Sequence, residues 1–153
     1  MASIIHQDSV SEALEKLHRQ IELPYVAGEL SAWTDGVVAL LNSTIETVHQ
    51  AIHSDHPKTY TSILRRDLEL AQKVEAMRVE DEVLLDGLDS IFRQAQELDS
   101  IVDEAKLAEP QFKPKRDRLV DDVLALIVRI RKQRAAINTW LSEAFSRDTG
   151  LGG

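Results

Sequence analysis

The chain has 153 residues, with 18 Lys and Arg against 26 Asp and Glu, a net charge of −8 and no cysteine. Disulfides, thiolate metal sites and cysteine nucleophiles are excluded, and the acidic balance argues against whole-surface attraction to nucleic acid or anionic lipid. Aromatic residues make up only 5 %, and the six Gly and four Pro sit mostly at chain joints, a mix that favours helix over strand.

Residues 1–8 lack a basic stretch followed by a long apolar run, so no secretory signal is expected. No apolar stretch approaches the roughly 20 residues that span a bilayer. A cytoplasmic protein is the default expectation. The first predicted helix covers about 9–22: Ser9 and Glu12 have capping-box spacing, and Val10, Leu14, Leu17 and Ile21 form one stripe. Pro24 opens a second helix over about 24–54, with Leu30, Trp33, Val37, Leu41, Ile45, Val48 and Ile52 on one side. Gly28 and Gly36 would each weaken it by roughly 1 kcal/mol unless they permit a close approach. Pro57 disfavours helical geometry at His56, so a tight corner is expected there.

The clearest pattern follows. Met77, Leu84, Ile91, Leu98 and Ala105 recur every seven residues, and Leu88, Ala95 and Val102 interleave in steps of three and four. This is the apolar seam of a packed helix. Between 58 and 108 there is no proline and Gly87 is the only glycine. An unbroken helix over 57–108 would measure roughly 78 Å, against about 46 Å for the second helix, at 1.5 Å per residue. Half of its seam would then need a second chain as cover. A break in the polar run Arg78-Val79-Glu80-Asp81-Glu82 is expected instead, giving helices over 57–78 and 82–108. Pro110 and Pro114 flank the last joint, and a final helix over 115–146 carries Val123, Ile127, Ile130, Ile137, Leu141 and Ala144. The expected fold is all-α: an antiparallel up-and-down four-helix bundle with a short extra N-terminal helix, one domain over 1–153.

Charge is unevenly spread. Residues 75–104 hold ten acidic and two basic side chains, whereas 113–134 hold eight basic and three acidic. Helices of opposite sign pack comfortably as neighbours. Asp67 and Asp81 fall in seam positions, and Arg134 takes a seam place between Ile130 and Ile137. Buried charges there must be paired or hydrated. The run Arg129-Ile130-Arg131-Lys132-Gln133-Arg134 has no aromatic platform beside it and splays around its helix. It is a poor nucleic-acid motif.

Glu46, His49 and His53 are the candidate metal ligands. Glu-x-x-His offers a carboxylate and an imidazole to a bundle di-iron centre, and two His at i, i+4 share a face as zinc ligands do. At ~100° per residue the three lie well away from the stripe centred on Val48 and Leu41, which points them outward. The segment Trp140-Leu141-Ser142-Glu143-Ala144-Phe145-Ser146-Arg147-Asp148 resembles the end of the fourth helix in hemerythrin-like bundle proteins, as do the four-helix layout and the His cluster near the second joint. That resemblance implies a non-haem di-iron centre with histidines on all four helices. Here no histidine follows His56, so it implies a relative that has lost its metal.

No P-loop, nucleophile elbow or dinucleotide fingerprint occurs. The expected function is therefore non-enzymatic, through contact with a protein partner or a second copy as a homodimer, with no membrane, no nucleic acid and no cofactor involved. The expected contact surface is Met77, Leu84, Leu88 and Ile91. The alternative is a degenerate hemerythrin-like metal-binding bundle using Glu46, His49 and His53.

Overall fold

The computed structural model describes the backbone of residues 2–104 and 107–151, with side chains placed for 9–104 and 107–147. Ala105, Asp148 and the Gly152-Gly153 end accordingly lie outside the described side chains. Helix accounts for 92 % of the described chain, and no strand occurs in it. The expectation of an all-α protein holds.

Several helix boundaries differ from those expected, each for a local reason. Helix α1 covers Ala2–Glu22. With no Gly or Pro in residues 2–8 to stop it, the helix backs up past Ser9, which therefore stands inside it and not at a cap. Pro24 starts no helix. The chain instead turns at Gly28, whose φ of 82° suits a residue without Cβ, and the Glu29 N–H closes the turn on the Val26 carbonyl at 2.9 Å. Helix α2 then runs over Leu30–Gln50. Gly36 lies inside it facing α1, and a Cβ there would press on the amide end of the Gln20 side chain.

The corner expected at Pro57 is absent. From α2 the backbone passes through a π-turn at Ala51–Asp55 directly into α3, His56–Arg66. His56 keeps right-handed helical angles, φ −59° and ψ −46°. A proline in mid-helix lacks an N–H and drives its ring against the carbonyl four residues back, here His53. Widening the preceding turn to i→i+5 bonding relieves that clash while the helix continues.

The real break comes later, at Asp67, where φ −151° and ψ 94° are extended. Its carboxylate accepts the Glu69 N–H at 3.0 Å, capping a 3-10 turn at Leu68–Leu70 that leads into α4, Ala71–Asp103. Helix α4 runs unbroken through residues 78–82, where a break was expected. Those residues are ordinary helix formers, and the one that points inward, Asp81, finds partners there. Helix α5 covers Glu109–Leu151, with Pro114 inside it. It begins ahead of the expected 115 because Phe112, fully buried, anchors its first turn against the edges of Tyr25 and Trp33. The Gln111 side chain accepts the Ala108 N–H there at 3.3 Å.

Contact pairs run in opposite order along neighbouring helices. Thr34 meets Asp99 and Tyr60 meets Asp81, while Glu69 meets Arg147 and Glu80 meets Arg129. The apolar stripes of α1, α2, α4 and α5 form one core, including Leu14, Val37, Leu84, Leu88 and Ile127. A second core gathers Tyr60, Ile63, Leu70, Val74, Ile137 and Ala144 from α3, the start of α4 and the end of α5. At one end of the first core Arg116 ties α5 to the loop after α1, donating to the Ile21 and Leu23 carbonyls while stacking between Tyr25 and Trp33.

Candidate functional site: a polar layer between the two cores

The two cores meet at a buried cluster of polar side chains. Asp81, on α4, is 6 % exposed. The Tyr60 hydroxyl donates to its Oδ2 at 2.8 Å, and the Gln133 amide donates to its Oδ1 at 2.6 Å. His56 Nδ1 lies 2.8 Å from the same Oδ1, the position from which an Nδ1–H donates to a carboxylate. Gln133 also donates to the Met77 carbonyl at 3.3 Å. Two helices thus converge on one carboxylate of α4: α3 supplies His56 and Tyr60 one turn apart, and α5 supplies Gln133.

Electrostatics follow from this enclosure. Burial, and then the charge of Asp81 and its hydrogen bond, push the Tyr60 phenol far above its ordinary range. Both side-chain oxygens of Asp81 take part in hydrogen bonds from other helices, so the group ties α3 and α5 to α4. Beside it lies a cavity of about 20 Å³ lined by Asp55, His56, Gln133, Leu84, Ile130 and Ile137 among others. Such a space admits about one water molecule. It adjoins the π-turn.

Of the three seam charges expected from sequence, Asp67 and Asp81 are buried and hydrogen-bonded. Asp67 accepts from Arg147 at 2.8 Å in addition to its capping bond. Arg134 was expected in the seam between Ile130 and Ile137, but that place belongs to Gln133. Steps of three and four from Ile130 lead through 133 to 137, and Arg134, one position on, turns half outward to donate to Ser11 at 2.6 Å. The grouping of Gln133, His56 and Tyr60 around Asp81 went unrecognised in the sequence, where His56 stood only as a further metal candidate beside His49 and His53. The signal was present in Asp81, because a buried carboxylate demands donors, and Gln133 sits at seam spacing.

Met77, Leu84, Leu88 and Ile91 do not form an outer contact surface. Leu84, Leu88 and Ile91 are buried in the chain's own core and Met77 is half-buried beside the second core. The unbroken α4 needs no second chain to cover its seam, because α1, α2 and α5 already do so. His49 and His53 do lie together, with ring centroids 5.4 Å apart. Glu46 does not join them. Among the described residues, the group of three with ligand atoms all within 4.8 Å of one another is Asp35, Asp99 and Asp103. Those oxygens are hard donors of the kind a divalent cation takes. Asp35 is exposed, and its carboxyl is pushed up to about 6, first by its hydrogen bond to Asp99, then by some loss of hydration and by the charges of Asp99 and Asp103. The basic run on α5 is dispersed: Arg129 pairs with Glu80 at 2.7 Å, and Arg134 is engaged with Ser11.

No protein-family model matches the chain, nor does any curated protein or solved structure. Among the described residues no helix is long and apolar enough to cross a membrane.

Proposed function

We propose that this chain is a non-enzymatic helical bundle that works by contact with other protein chains, a second copy of itself first. The observation that carries this is the closed interior. The polar layer around Asp81 is hydrogen-bonded among its own members, and the cavity beside it takes about one water. A drug-sized substrate would find no room there. Unspent charge lies instead on the outer faces of the helices. The opposing order of contact pairs supports an antiparallel up-and-down arrangement, with α2 and α3 acting as one long bent member.

Native mass spectrometry on protein purified without chelators or affinity metal tests this. A metal-free dimer is the expected mass. A monomer at every concentration examined, with no cross-linked species, overturns self-association.

Metal binding by His49 and His53 is the second role we propose, supported by their ring separation of 5.4 Å. It would suit the hemerythrin-like resemblance in degenerate form. Near-stoichiometric zinc or iron, lost in the His49→Ala/His53→Ala double variant, is its signature. Metal-free protein that fails to take up either ion removes it.

A further inference from the structure

A groove of about 320 Å³ lies between α4 and α5, lined by Gln94, Glu97, Leu98 and Ile101 from one helix and by Lys115 and Arg118 from the other. The antiparallel register that sets Glu80 beside Arg129 and Asp81 beside Gln133 carries these two stretches past one another. On α4 the four residues fall at i, i+3, i+4 and i+7, one face of the helix. On α5 the two cations stand three apart, where side chains are surface neighbours. Leu98, buried in the first core, and half-buried Ile101 give the groove an apolar side. Glu97, Lys115 and Arg118 are exposed. Neither cation forms an ion pair among the described residues, even with Glu97 lining the same space, whereas Lys113, Arg116, Arg129 and Arg147 all have carboxylate partners. Two other outer hollows lack this combination. The one of about 560 Å³ beside Tyr25 has its lysine, Lys113, 3.3 Å from Asp117. The one of about 420 Å³ on α3 is lined by that helix alone.

We infer that this groove binds a small monocarboxylate with a short apolar body. Lys115 and Arg118 take the carboxylate, Arg118 through two parallel N–H donors and Lys115 as a point charge. The apolar body lies over Leu98 and Ile101, and Gln94 offers its amide to any second polar group on the ligand. Glu97 sets the charge that is accepted. Two cations against one carboxylate balance a single negative charge, and the second charge of a phosphate would face Glu97 at close quarters. The size points to a small molecule: such sites begin at about 300 Å³, whereas a stable protein partner covers roughly 20–30 residues a side, far more than line this groove. The site is separate from the protein contacts proposed above and stands or falls independently of them. Exposed charges are screened by salt, so binding is expected to weaken as ionic strength rises.

Titration of the full chain with hexanoate, followed residue by residue through its amide NMR signals, is the decisive experiment, with hexanol, acetate and inorganic phosphate as comparison probes. Hexanoate is expected to shift the amides of Glu97, Ile101, Lys115 and Arg118 saturably, and each comparison probe to bind about tenfold more weakly or not at all. Lys115→Gln/Arg118→Gln should weaken hexanoate by about tenfold or more. Circular dichroism should show unchanged helicity, because both side chains are exposed. Glu97→Gln should tighten hexanoate and admit phosphate, and an unchanged preference in that variant overturns the role given to Glu97. Hexanoate shifts that are absent, or that survive the double variant, overturn the site. Acetate, hexanol or phosphate binding wild type as tightly as hexanoate overturns the ligand class, through the apolar body, the carboxylate or the single charge respectively. An acidic peptide that binds through Lys115 and Arg118 where hexanoate does not would give the groove to a protein partner instead.

Discussion

Tyr60 and Asp81 hold the two cores of this protein in register. The hydroxyl of one donates to a carboxylate oxygen of the other at 2.8 Å, and both residues are almost wholly buried. A carboxylate removed from water is costly unless donors surround it, and it is matched only when α3, α4 and α5 stand in one relative position. A heptad slip of α4 would keep apolar side chains facing apolar side chains, but it would strip Asp81 of His56, Tyr60 and Gln133. The polar layer thereby selects one packing among several that hydrophobic burial alone would tolerate.

Removal of that hydroxyl is the direct test. Tyr60→Phe keeps the ring in its core and leaves Asp81 one donor short, so a loss of about 1–3 kcal/mol in unfolding free energy is expected. Urea denaturation at neutral pH measures it. An unchanged midpoint would mean that the bond contributes nothing to register.

The same residue shapes the alkaline limb. Burial first, then Asp81, raise the phenol pKa in the folded state. A raised folded pKa contributes stability that is present below the unfolded value of about 10 and is lost as pH climbs beyond it. Wild type should lose stability more steeply above about pH 10 than Tyr60→Phe, in which that proton is absent from both states. Parallel curves for the two proteins would contradict this.

Asp35 behaves in the same sense at acid pH. Its pKa is pushed up to about 6 by Asp99 and Asp103, so its contribution to stability is present below the unfolded value of about 4 and lost as pH rises through about 6. Asp35→Asn should therefore raise the melting temperature at pH 7 and leave it unchanged below about pH 4. A melting temperature lowered at pH 7 would show that the carboxylate is wanted there, as a cation ligand would be.

Leu84 has no exposed surface. Leu84→Ala should cost about 2–5 kcal/mol through lost burial and the cavity left behind. Leu84→Asp should collapse helicity, since an unpaired charge cannot be housed at that site. If the Asp variant remained fully helical and changed only its mass, Leu84 would be an interface residue after all. Circular dichroism and native mass together separate these results.

Composition and periodicity determined that this chain is helical, and they determined which side chains go inside. Steps of three and four through Leu84, Leu88, Ile91, Ala95 and Leu98 mark a buried stripe whatever covers it, because side-chain direction on a helix follows from 3.6 residues per turn. That Asp67 and Asp81 require partners was equally legible, since the cost of an unpaired buried charge belongs to the carboxylate itself. Tertiary structure decided where the helices stop. Residues 78–82 stay helical because Asp81 finds donors on α3 and α5, and the chain passes Pro57 because a π-turn absorbs the clash while Tyr60 and Ile63 are held in the second core. The break falls at Asp67, whose carboxylate caps the next turn and receives Arg147 from eighty positions away. Such choices are invisible in one dimension. The energy that settles each belongs to a pairing between segments far apart in sequence, and local propensity is too flat along this chain to outweigh it.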